Sequence, residues 1–381
     1  MKKLLIKLFC SFIRNKDKKR TIRASLASLS LSDVFHFYRF KKLPVRKNSV
    51  LLIEANDSHG EVIAGYLKYF QNLGYRVDVL LNSKIATENP FCRLDVSDVR
   101  VFVSGYLFLK KFLKQDKISE YKHIMLMTSA VYFYRENDYY ISALRYYPEL
   151  KKHPSLLIVE HELNDIEKLG EQSFVKMKRL ITLGHFSKGV FAAPVLFGNL
   201  RITQKNELTT FICVGSIRNV RKNYQQLIDA TLRLVHENKS FKIVIVGDGK
   251  LEHLPQEVHP YIEITGRLDF PKMFSKMEEA DFYLPLLDAE NVEHERYITT
   301  GVTGSAQLIY AFAKVPVLHP KFAPFYRFND QNAIVTKDLF EGMKQAVEMS
   351  EEEYALKQKA LKNLAVSLEK ETQNNFKDIL Q

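Results

Sequence analysis

Four loops in the second half of the chain combine glycine with cationic, acidic or hydroxyl side chains, and each follows an apolar run that predicts a strand. The residues concerned are Gly215, Arg218, Arg221, Lys222, Gly247, Asp248, Gly266, Arg267, Thr300, Gly301, Thr303, Gly304 and Ser305. Glycines let the backbone approach a ligand closely, and cations beside the free N–H groups of a helix start suit phosphate. The pattern therefore predicts a site for a ligand that carries a diphosphate.

Each of these loops also has a simpler structural interpretation. The basic stretch at 214–223 is compatible with a solvated turn, and the Gly-Asp-Gly stretch at 247–249 with an ordinary turn. A purely structural glycine at 266 is at least as good an explanation. The hydroxyl-rich stretch at 298–306 is compatible with a helix N-cap, but one cap does not need so many small residues, which favours phosphate binding there.

The first half of the chain has a comparable loop at residues 54–61, with the sequence EANDSHGE. It follows a predicted strand and precedes a predicted helix. We expect His59 to act as a general base where its pKa lies near the working pH, with Asp57 as the competing base. The alternative is that Asp57 or Ser58 caps the helix and Glu61 supports the cap.

A second polar group follows the strand predicted at 156–159. Glu160 and His161 are candidates for substrate contacts, with an ordinary loop as the alternative. His161 lies beside two carboxylates, but no third residue has the spacing of a metal ligand. The sequence therefore predicts no metal site.

Alternating strand and helix patterns position all of these loops. Such patterns extend from residue 49 to about 200 and again from about 210 to 350, which predicts two parallel α/β sheets covered on both faces. A polar stretch at 197–208 separates them. Ligands bind such sheets at the carboxyl ends of the strands, where these loops begin. The predicted divisions are 1–47, 48–200, 201–350 and 351–381, the last of them a charged helical segment.

The net charge of +12 resides in the first 47 residues, which hold 14 Lys and Arg against two acids, so the remainder is neutral with 42 of each. An apolar helical face is predicted there, opposite basic residues. Its members are Leu4, Leu5, Leu8, Phe9, Phe12 and Ile13, with Lys3, Lys7 and Arg14 opposite. Because basic amphipathic helices lie in membrane interfaces, we expect residues 1–25 to bind an anionic membrane surface.

The same residues disfavour several other classes of protein. The apolar stretch of the head is interrupted by Lys7 and is too short for a signal peptide or a membrane span. The body has no basic stripe, which disfavours nucleic acid as a partner. Cys10, Cys92 and Cys213 form no paired framework, so we expect neither disulfides nor structural zinc. A solvated tail and a helix packed on the body are the alternatives for the head.

Taken in chain order, the four loops resemble the nucleotide-binding half of GT-B glycosyltransferases, most nearly glycosyltransferase family 4 of the bacterial surface-glycan type. The likeness is fullest over residues 209–350, where Lys314-Val-Pro-Val317 is similar to the family's Gly-x-Pro-Val strand entry. It implies an α/β fold of the GT-B type, in which two Rossmann-like domains face each other across a cleft. The first domain would hold the acceptor and the second the nucleotide sugar.

The resemblance also implies roles for individual residues. Lys222, with Arg218 or Arg221, would bind the donor diphosphate together with the hydroxyl-rich loop at 300–305. The residues near the nucleotide base and ribose would be Gly215, Gly247, Asp248, Gly266 and Arg267. Gly60 is similar to the glycine of a family loop that faces the donor phosphates and the acceptor. The acceptor side would then comprise Gly60, Glu61, Glu160 and His161.

Two positions depart from the family pattern. The family usually carries two glutamates spaced E-x7-E, and counting back from Pro316 places the second at Ile309 or Leu308 and the first near Gly301. None of these residues can bind a ribose hydroxyl through its side chain. The ribose contact and the stereochemical course, retaining or inverting, are therefore left open.

We accordingly expect a glycosyltransferase of the hexosyltransferase class that uses a nucleotide-diphosphate sugar, a UDP-sugar before others, with no cofactor. No Asp-x-Asp motif stands in the context of a metal-dependent GT-A enzyme, so we expect metal-independent chemistry. The expected acceptor is lipid-linked or a surface glycan, as in lipopolysaccharide, lipooligosaccharide or capsule assembly, at the cytoplasmic face of the cell membrane. The alternative is a non-catalytic GT-B homologue that acts as partner subunit of a membrane-associated transferase. A sugar-nucleotide epimerase is a further, less favoured interpretation.

Overall fold

The computed structural model describes residues 2–27, 29–133, 139–195, 198–218 and 220–381, and it describes the backbone alone for Lys2, Lys3, Leu4, Phe9, Ala24, Phe133 and Tyr139. The chain divides into two compact units. The first comprises Met1–Leu183, Ser187–Ala192 and Gln373–Gln381, and the second comprises Gly184–Phe186 and Ala193–Thr372.

The strands of the first unit are β1 (Ser49–Glu54), β2 (Arg76–Leu81), β3 (Arg100–Val103), β4 (His123–Leu126), β5 (Ala130–Phe133), β6 (Tyr139–Ser142), β7 (Leu156–Glu160), β8 (Leu180–Thr182) and β9 (Val190–Phe191). Its helices are α1 (Lys2–Ser11), α2 (Lys16–Ala27), α3 (Leu31–Lys42), α4 (Gly60–Asn72), α5 (Ser83–Glu88), α6 (Tyr106–Leu113), α7 (Ala143–Tyr146), α8 (Ile166–Leu169) and α9 (Gln172–Lys176). A seven-stranded parallel sheet has the order β3-β2-β1-β4-β7-β8-β9, and β5 and β6 form an antiparallel hairpin. Strands β1, β4 and β7 are buried throughout, as expected for parallel strands covered on both faces.

Helix α4 packs on this sheet through one apolar face. Val62, Tyr66, Tyr69 and Phe70 are buried, following the helical repeat. The end of the chain adds Phe376, whose ring centroid lies 5.2 Å from that of Phe70. The helix is therefore fixed on both sides, and its N-terminus is held at the carboxyl edge of the sheet.

Helix α1 exposes much of the apolar face predicted for the head. Leu5, Leu8 and Phe12 are exposed, Ile13 is half-buried, and Cys10 is buried on the other side. The predicted face also includes Leu4 and Phe9, with Lys3 opposite, and these three side chains lie outside those described. Within the part of the chain that the structure describes, no helix has both the length and the apolar character needed to cross a membrane.

Helix α3 occupies the stretch that the sequence analysis assigned to a linker within 1–47. It is part of the first unit because Phe40 is buried in the core, with its ring centroid 5.0 Å from that of Phe102. Just beyond it, Arg46 forms an ion pair at 2.7 Å with the buried carboxylate of Asp78. A sequence that looks like a basic connector is thus tied to the first sheet by aromatic packing and a buried acid.

The strands of the second unit are β10 (Thr209–Val214), β11 (Phe241–Val246), β12 (Ile262–Gly266), β13 (Phe282–Tyr283), β14 (Val315–Leu318) and β15 (Ile334–Val335). Its helices are α10 (Tyr224–His236), α11 (Phe270–Glu279), α12 (Arg296–Thr299), α13 (Gly304–Phe312), α14 (Leu339–Glu348) and most of α15 (Glu351–Leu380). The strands form a six-stranded parallel sheet in the order β12-β11-β10-β13-β14-β15. The predicted α/β class, with a Rossmann-like parallel sheet in each half, is confirmed.

The division between the units differs from the boundary expected between residues 200 and 201. Residues 187–192 return to the first unit, where β9 pairs with β8 and extends the sheet. The polar stretch after them belongs to the second unit, since Thr203 Oγ1 donates to Glu278 O and Asn206 N donates to Asp281. Phe197, where the break was predicted to start, lies outside the described residues. The expected segment 351–381 is one helix, α15, which passes from the second unit to the first at Thr372.

Candidate active site

The carboxyl edge of the second sheet contains a point where the chain changes direction across the sheet. From β10 the chain proceeds to β11 and β12 on one side, and it later returns to β13 and β14 on the other. In sheets of this type, ligands bind beside the loops that border such a switch point. We call the residues placed there the second-unit site, which comprises Gly215, Lys222, Tyr283, Pro285, Thr303 and Ser305.

Lys222 is buried in the second-unit site, where its ammonium group contacts two neutral oxygen atoms. Its Nζ donates to Pro285 O at 3.0 Å and to Ser305 Oγ at 3.2 Å, and only 6% of the residue is exposed. No described residue places a carboxylate within ion-pair distance of this ammonium group. Since a buried charge is unfavourable unless it is paired, the arrangement suits an incoming anion such as a phosphate.

The start of α13 completes the second-unit site. Thr303 caps the helix by accepting a hydrogen bond from Ser305 N at 3.3 Å. The Tyr283 hydroxyl lies 3.1 Å from Ser305 Oγ, and burial raises the pKa of Tyr283, so the phenol keeps its proton. A Cβ at Gly304 would meet no atom within 4 Å, so there is open space at this helix N-terminus for an anion.

The other two cations of the first loop point away from this site. Arg218 and Arg221 are exposed, whereas Lys222 is buried. The backbone explains the difference, because Arg221 N and Lys222 N both donate to Arg218 O and wind the loop into a turn. The nearby Asn219 lies outside the described residues. Of the three cations proposed for the diphosphate, the structure thus places Lys222 at the switch point and the arginines at the surface.

The glycines of the first two loops pack backbone against backbone. A Cβ at Gly247 would lie 1.8 Å from Gly215 O, and a Cβ at Gly249 would lie 2.6 Å from Ile217 O. The loops are joined by a hydrogen bond of 2.7 Å from Ile217 N to Asp248 O. Gly215, at φ 130°, would bring a Cβ to 3.2 Å from Lys222 Cε. Glycine at these positions therefore allows the two loops to pack closely, and Gly215 also leaves room for the side chain of Lys222.

The remaining predicted nucleotide contacts are at the surface. Asp248 and Arg267 are exposed, and Gly266 adopts φ 70° with open space around it. Gly266 O accepts a hydrogen bond from Gly247 N at 3.0 Å, so the second and third loops are also linked. These positions are therefore accessible to a nucleotide base, but their geometry does not favour one base over another.

Thr300 and Gly301 close one helix before the next begins. Their N–H groups both donate to Arg296 O, at 3.0 and 2.8 Å. Because these donors are already satisfied, the part of the predicted phosphate loop with free capacity is Thr303 to Ser305. Ile309 and Leu308, the two alternatives for the second glutamate of the family pattern, are both buried in α13.

Two polar residues of the second unit were missed by the sequence analysis. Asp288 accepts a hydrogen bond of 2.7 Å from Asn223 Nδ2, and its own N–H donates to Nδ1 of the fully buried His294 at 2.9 Å. Burial lowers the pKa of His294, and the charge of Lys222 acts in the same direction. The group fixes the loop after β13 against the start of α10, which holds Lys222. The only sequence signal was an acid and a histidine soon after a strand end.

The first sheet has its switch point between β1 and β4, by the same reasoning. We call the residues there the first-unit site, which comprises Glu54, Asn56, His59, Glu61, Met127 and His161. Glu54 is buried and accepts hydrogen bonds from Asn56 N at 2.7 Å and Thr128 Oγ1 at 2.7 Å. Burial raises the pKa of Glu54 to about 7, although the charge of His59 and three hydrogen bonds act in the opposite direction.

His59 lies beside a second histidine, with the two rings tilted by 36°, and faces a carboxylate. Its ring centroid lies 4.3 Å from that of His161, and its Nδ1 lies 3.6 Å from Glu61 Oε1. His161 Nε2 donates to Met127 O at 2.9 Å, and burial lowers the pKa of His161 well below its usual value. Burial alone would raise the pKa of Glu61, but the hydrogen bond and charge of His59 lower it. The first-unit site thus combines a neutral imidazole, a carboxylate and His59.

The backbone at His59 is unusual and contradicts the simple capping interpretation. His59 adopts φ 62°, a left-handed conformation that is rare for residues other than glycine and asparagine, and it occupies the N-cap of α4 without a side-chain cap bond. Asp57 instead pairs with Lys84 at 3.5 Å, and Ser58 Oγ is buried with no hydrogen-bond partner among the described residues. The competing base is thus engaged by a lysine.

Glu160 lies in a buried acid pair. It is 5% exposed, and its Oε1 accepts a hydrogen bond from Glu162 N at 2.8 Å. Burial raises the pKa of both Glu160 and Glu171, and the Glu160 carboxyl raises that of Glu171 further. The pair therefore shares a proton at neutral pH, which favours a structural role for Glu160 over the predicted acceptor contact. Across the described ranges, no three His, Cys, Asp or Glu side chains are grouped to hold a metal ion.

Comparison with known proteins supports this reading of the second unit. Residues 209–294 match the family model described as glycosyl transferases group 1. No curated protein sequence matches the chain. The matched residues begin at β10 and end at His294, so they include Lys222, both glycine loops and the loop after β13.

Solved structures with a similar fold are glycosyltransferases of low sequence identity. The enzyme from Rickettsia africae ESF-5 is 11% identical with a TM-score of 0.54, covering 88% of this chain and 100% of that one. AviGT4, involved in avilamycin A biosynthesis, is 12% identical with a TM-score of 0.55, covering 87% and 98%. A variant of S. aureus TarM, in complex with Fondaparinux, alpha-GlcNAc-glycerol and UDP, is 9% identical with a TM-score of 0.55, covering 88% and 100%. The likeness confirms the GT-B fold, and with the family match it supports the assignment of this chain as a glycosyltransferase.

Proposed function

We propose that the protein transfers a sugar from a nucleotide-diphosphate sugar, a UDP-sugar before others, to a lipid-linked or surface-glycan acceptor without a metal ion. The observation that carries the proposal is the buried ammonium group of Lys222, which contacts a carbonyl and a hydroxyl but no described carboxylate. During transfer, negative charge grows on the departing diphosphate. A fixed positive group aimed at that charge stabilises the transition state more than the ground state.

The second unit then binds the donor. The N-terminus of α13 and the Ser305 hydroxyl add partial positive charge beside Lys222, and Arg218 and Arg221 add charge from the solvent side. These groups perform the electrostatic task that a divalent cation performs in metal-dependent transferases. Uridine is favoured because a TarM variant that shares this fold was solved with UDP.

The first unit would receive the acceptor, with His59 as the general base. After His59 takes a proton from the acceptor hydroxyl, Glu61 at 3.6 Å provides a carboxylate for the imidazolium. His161 stays neutral because burial lowers its pKa, so it orients the His59 ring without competing for the proton. Gly60 begins α4 with no side-chain cap, which leaves N–H groups for a polar substrate.

The acceptor class and the location are inferred from the basic head. Leu5 and Leu8 are exposed on α1 and Phe12 directly after it, in a segment with 14 basic and two acidic residues. Such a segment favours an anionic membrane surface, where lipid-linked glycans are assembled. We therefore place the protein at the cytoplasmic face of the cell membrane as a peripheral enzyme of lipopolysaccharide, lipooligosaccharide or capsule synthesis.

A nucleotide screen tests the donor assignment. The melting temperature of the full chain is measured with UDP, GDP, CMP and dTDP and their sugars, with and without EDTA, for the wild type and for Lys222→Met. Binding should raise the melting temperature by mass action. We expect a rise with one nucleotide that EDTA does not remove and that Lys222→Met abolishes, while Lys250→Met, an exposed lysine in the next loop, retains it.

Two outcomes would redirect the proposal. A nucleotide shift that persists in Lys222→Met would reject the diphosphate assignment. Nucleotide binding without sugar transfer to any lipid acceptor would favour the non-catalytic partner subunit, which the buried Ile309 at a family glutamate position also favours.

A further inference from the structure

Helix α3 presents an apolar face to solvent. Leu31 is 90% exposed, Val34 38%, Phe35 65% and Tyr38 58%. Their spacing of three and four residues places them on one side of the helix. Single exposed apolar residues are ordinary, but a contiguous row that includes two aromatic rings marks an interaction surface. We call these four residues the α3 face.

The N-terminus of α3 is fixed in place. Ser30 and Asp33 form a capping box, in which Asp33 N donates to Ser30 Oγ at 3.3 Å and Ser30 N donates to Asp33 Oδ2 at 2.9 Å. The other carboxylate oxygen of Asp33 accepts a hydrogen bond from Gly105 N at 3.1 Å. The only acid of this helix is therefore buried and engaged at the start of α6.

The opposite side of α3 holds it against the core. The Phe40 ring centroid lies 5.0 Å from that of Phe112, and the Phe37 ring centroid lies 5.4 Å from the same ring. Lys117 Nζ donates to Phe40 O and, at 2.6 Å, to Leu43 O, which satisfies the C-terminal carbonyls. Because both ends and the inner side are held, the helix cannot turn the α3 face inward.

We propose that the α3 face inserts into the interfacial region of an anionic lipid surface. Charge complementarity identifies this partner, since Arg39, Lys41 and Lys42 are exposed at the end of the same helix, whereas Asp33, the acid within that helix, is buried. Exposed apolar side chains and cations on one helix are two features that favour binding to the interface of an anionic membrane. Aromatic rings such as Tyr38 are suited to that layer.

The inference extends the proposed function, because it adds a rigid contact to the basic head and so fixes the first unit against the surface that carries the acceptor. The opposite side of α3 packs through Phe40 into the core that contains Leu51 and Ile53 of β1, the strand that leads to the first-unit site. The test of this inference does not depend on sugar transfer.

Tryptophan fluorescence tests insertion directly, because the chain contains no tryptophan. In the full chain, Phe35→Trp should show a blue-shifted emission maximum when vesicles of phosphatidylglycerol and phosphatidylcholine are added, and brominated lipid should quench it. Val366→Trp, at a position 63% exposed on α15, is the matched control and should show neither change. No shift from Phe35→Trp at a vesicle concentration that sediments the protein would overturn the proposal.

Vesicle co-sedimentation measures the contribution of the face to binding. At roughly 1 M salt the Debye length is about 3 Å, so basic residues contribute little and apolar insertion dominates. We expect Leu31→Ser/Phe35→Ser/Tyr38→Ser to lower the partition coefficient at least about tenfold there, because these side chains supply the buried apolar area. The control Leu356→Ser/Val366→Ser alters two exposed apolar residues of α15 and should partition like the wild type.

Equal partitioning of the triple variant and the wild type would reject the α3 face as a lipid contact. Sedimentation equilibrium tests the rival occupant, a second copy of the chain. A wild-type dimer that the triple variant converts to monomer, with unchanged vesicle binding, would also overturn the proposal. The UDP-induced rise in melting temperature separates the two proposals, since it reports the donor site alone and the α3 variants should retain it.

Discussion

The two switch points of this molecule have the same topology and different chemistry. In the second unit the groups that meet are an ammonium group, hydroxyls and closely packed glycines, centred on Lys222 and Ser305. In the first unit they are imidazoles and carboxylates, centred on His59 and Glu61. One site thus holds a buried ammonium group, whereas the other contains groups whose pKa burial changes, raising that of Glu54 to about 7 and lowering that of His161.

The difference shows how one sheet architecture serves two tasks. A site that stabilises a departing diphosphate needs a positive charge, and Lys222 supplies it with no carboxylate of the described residues within ion-pair distance. A site that removes a proton needs groups that can change charge, and there each charge has a neighbour to balance it, as Glu61 does for His59. The second-unit site is therefore incomplete until an anion binds, while the first-unit site is satisfied on its own.

The largest expected effect is the loss of activity when the ammonium group of Lys222 is removed. Lys222→Met should lower kcat/KM for sugar transfer by about a thousandfold, in the range found for removal of a preorganised group that stabilises an oxyanion. It should not lower the melting temperature, because it removes an uncompensated buried charge. Steady-state kinetics and calorimetry measure the two quantities.

The matched control for this prediction is Lys314→Met. Lys314 is also buried, but its Nζ donates to Ala280 O and Glu278 O, and burial lowers its pKa to about 8. We expect Lys314→Met to lose stability and to keep normal activity per folded molecule. If the two lysine variants behave alike, the contrast between a ligand charge and a structural charge fails.

The next largest expected effect is the loss of stability when a side chain is added where the two glycine loops pack together. In Gly247→Ala, the new Cβ would lie 1.8 Å from the backbone oxygen of Gly215, so the free energy of unfolding should fall by about 3 kcal/mol. Gly304→Ala is the comparison, because a Cβ there meets nothing and the helix propensity improves. Chemical denaturation of both variants measures the difference. Equal stability would mean that the two loops do not pack as described.

The regular elements around these sites could be predicted from sequence with useful accuracy. The strand Phe241–Val246 and the helix Phe270–Glu279 lie within the strand and helix alternation predicted for residues 210–350, because one has a largely apolar sequence and the other a single apolar stripe. Helix α3 was not predicted, since Phe37 and Phe40 face inward while Phe35 and Tyr38 face outward, which removes the 3.6-residue repeat. The local pattern of apolar residues does not predict a helix that is apolar on both sides.

The types of residue in the sites could also be predicted, but their orientation could not. The sequence offers three cations within five residues, and only the fold shows that Lys222 turns inward while Arg218 and Arg221 stay at the surface. That choice depends on Gly215, which leaves room for the lysine stem. Likewise Asp288 acts through a hydrogen bond to Asn223, 65 residues away in the chain. Contacts of that separation leave no periodic signal.

A substitution of His59 tests whether the first-unit site takes part in proton transfer. His59→Asn should lower kcat about a hundredfold, at the lower end of general-base contributions, and should remove the acidic limb of the pH–rate profile. Asparagine tolerates the left-handed backbone at this position, so the fold should be retained. His161→Asn is the comparison, with a smaller loss and an unchanged pH profile. A variant at His59 with the wild-type profile would show that the proton leaves by another route.

The smallest expected effect concerns Glu54, where the first-unit site stores a proton. Its pKa is about 7 in the folded protein and about 4.5 in the unfolded chain, so the folded state binds more protons between these values. By linkage, stability is full below pH 4.5 and falls as the pH rises, by about 2 kcal/mol between pH 5 and pH 7. Glu54→Gln keeps an oxygen for Asn56 and removes the titration, so its stability should lose this part of the pH dependence. Urea denaturation between pH 5 and pH 7 measures the slope of stability against pH, and Glu263→Gln, which alters an acid of lowered pKa, is the comparison. A slope that persists in Glu54→Gln would contradict the assignment. A persistent slope would mean that the first-unit site does not hold its proton at the switch point, and its contrast with the fixed charge of Lys222 would then rest on His59 alone.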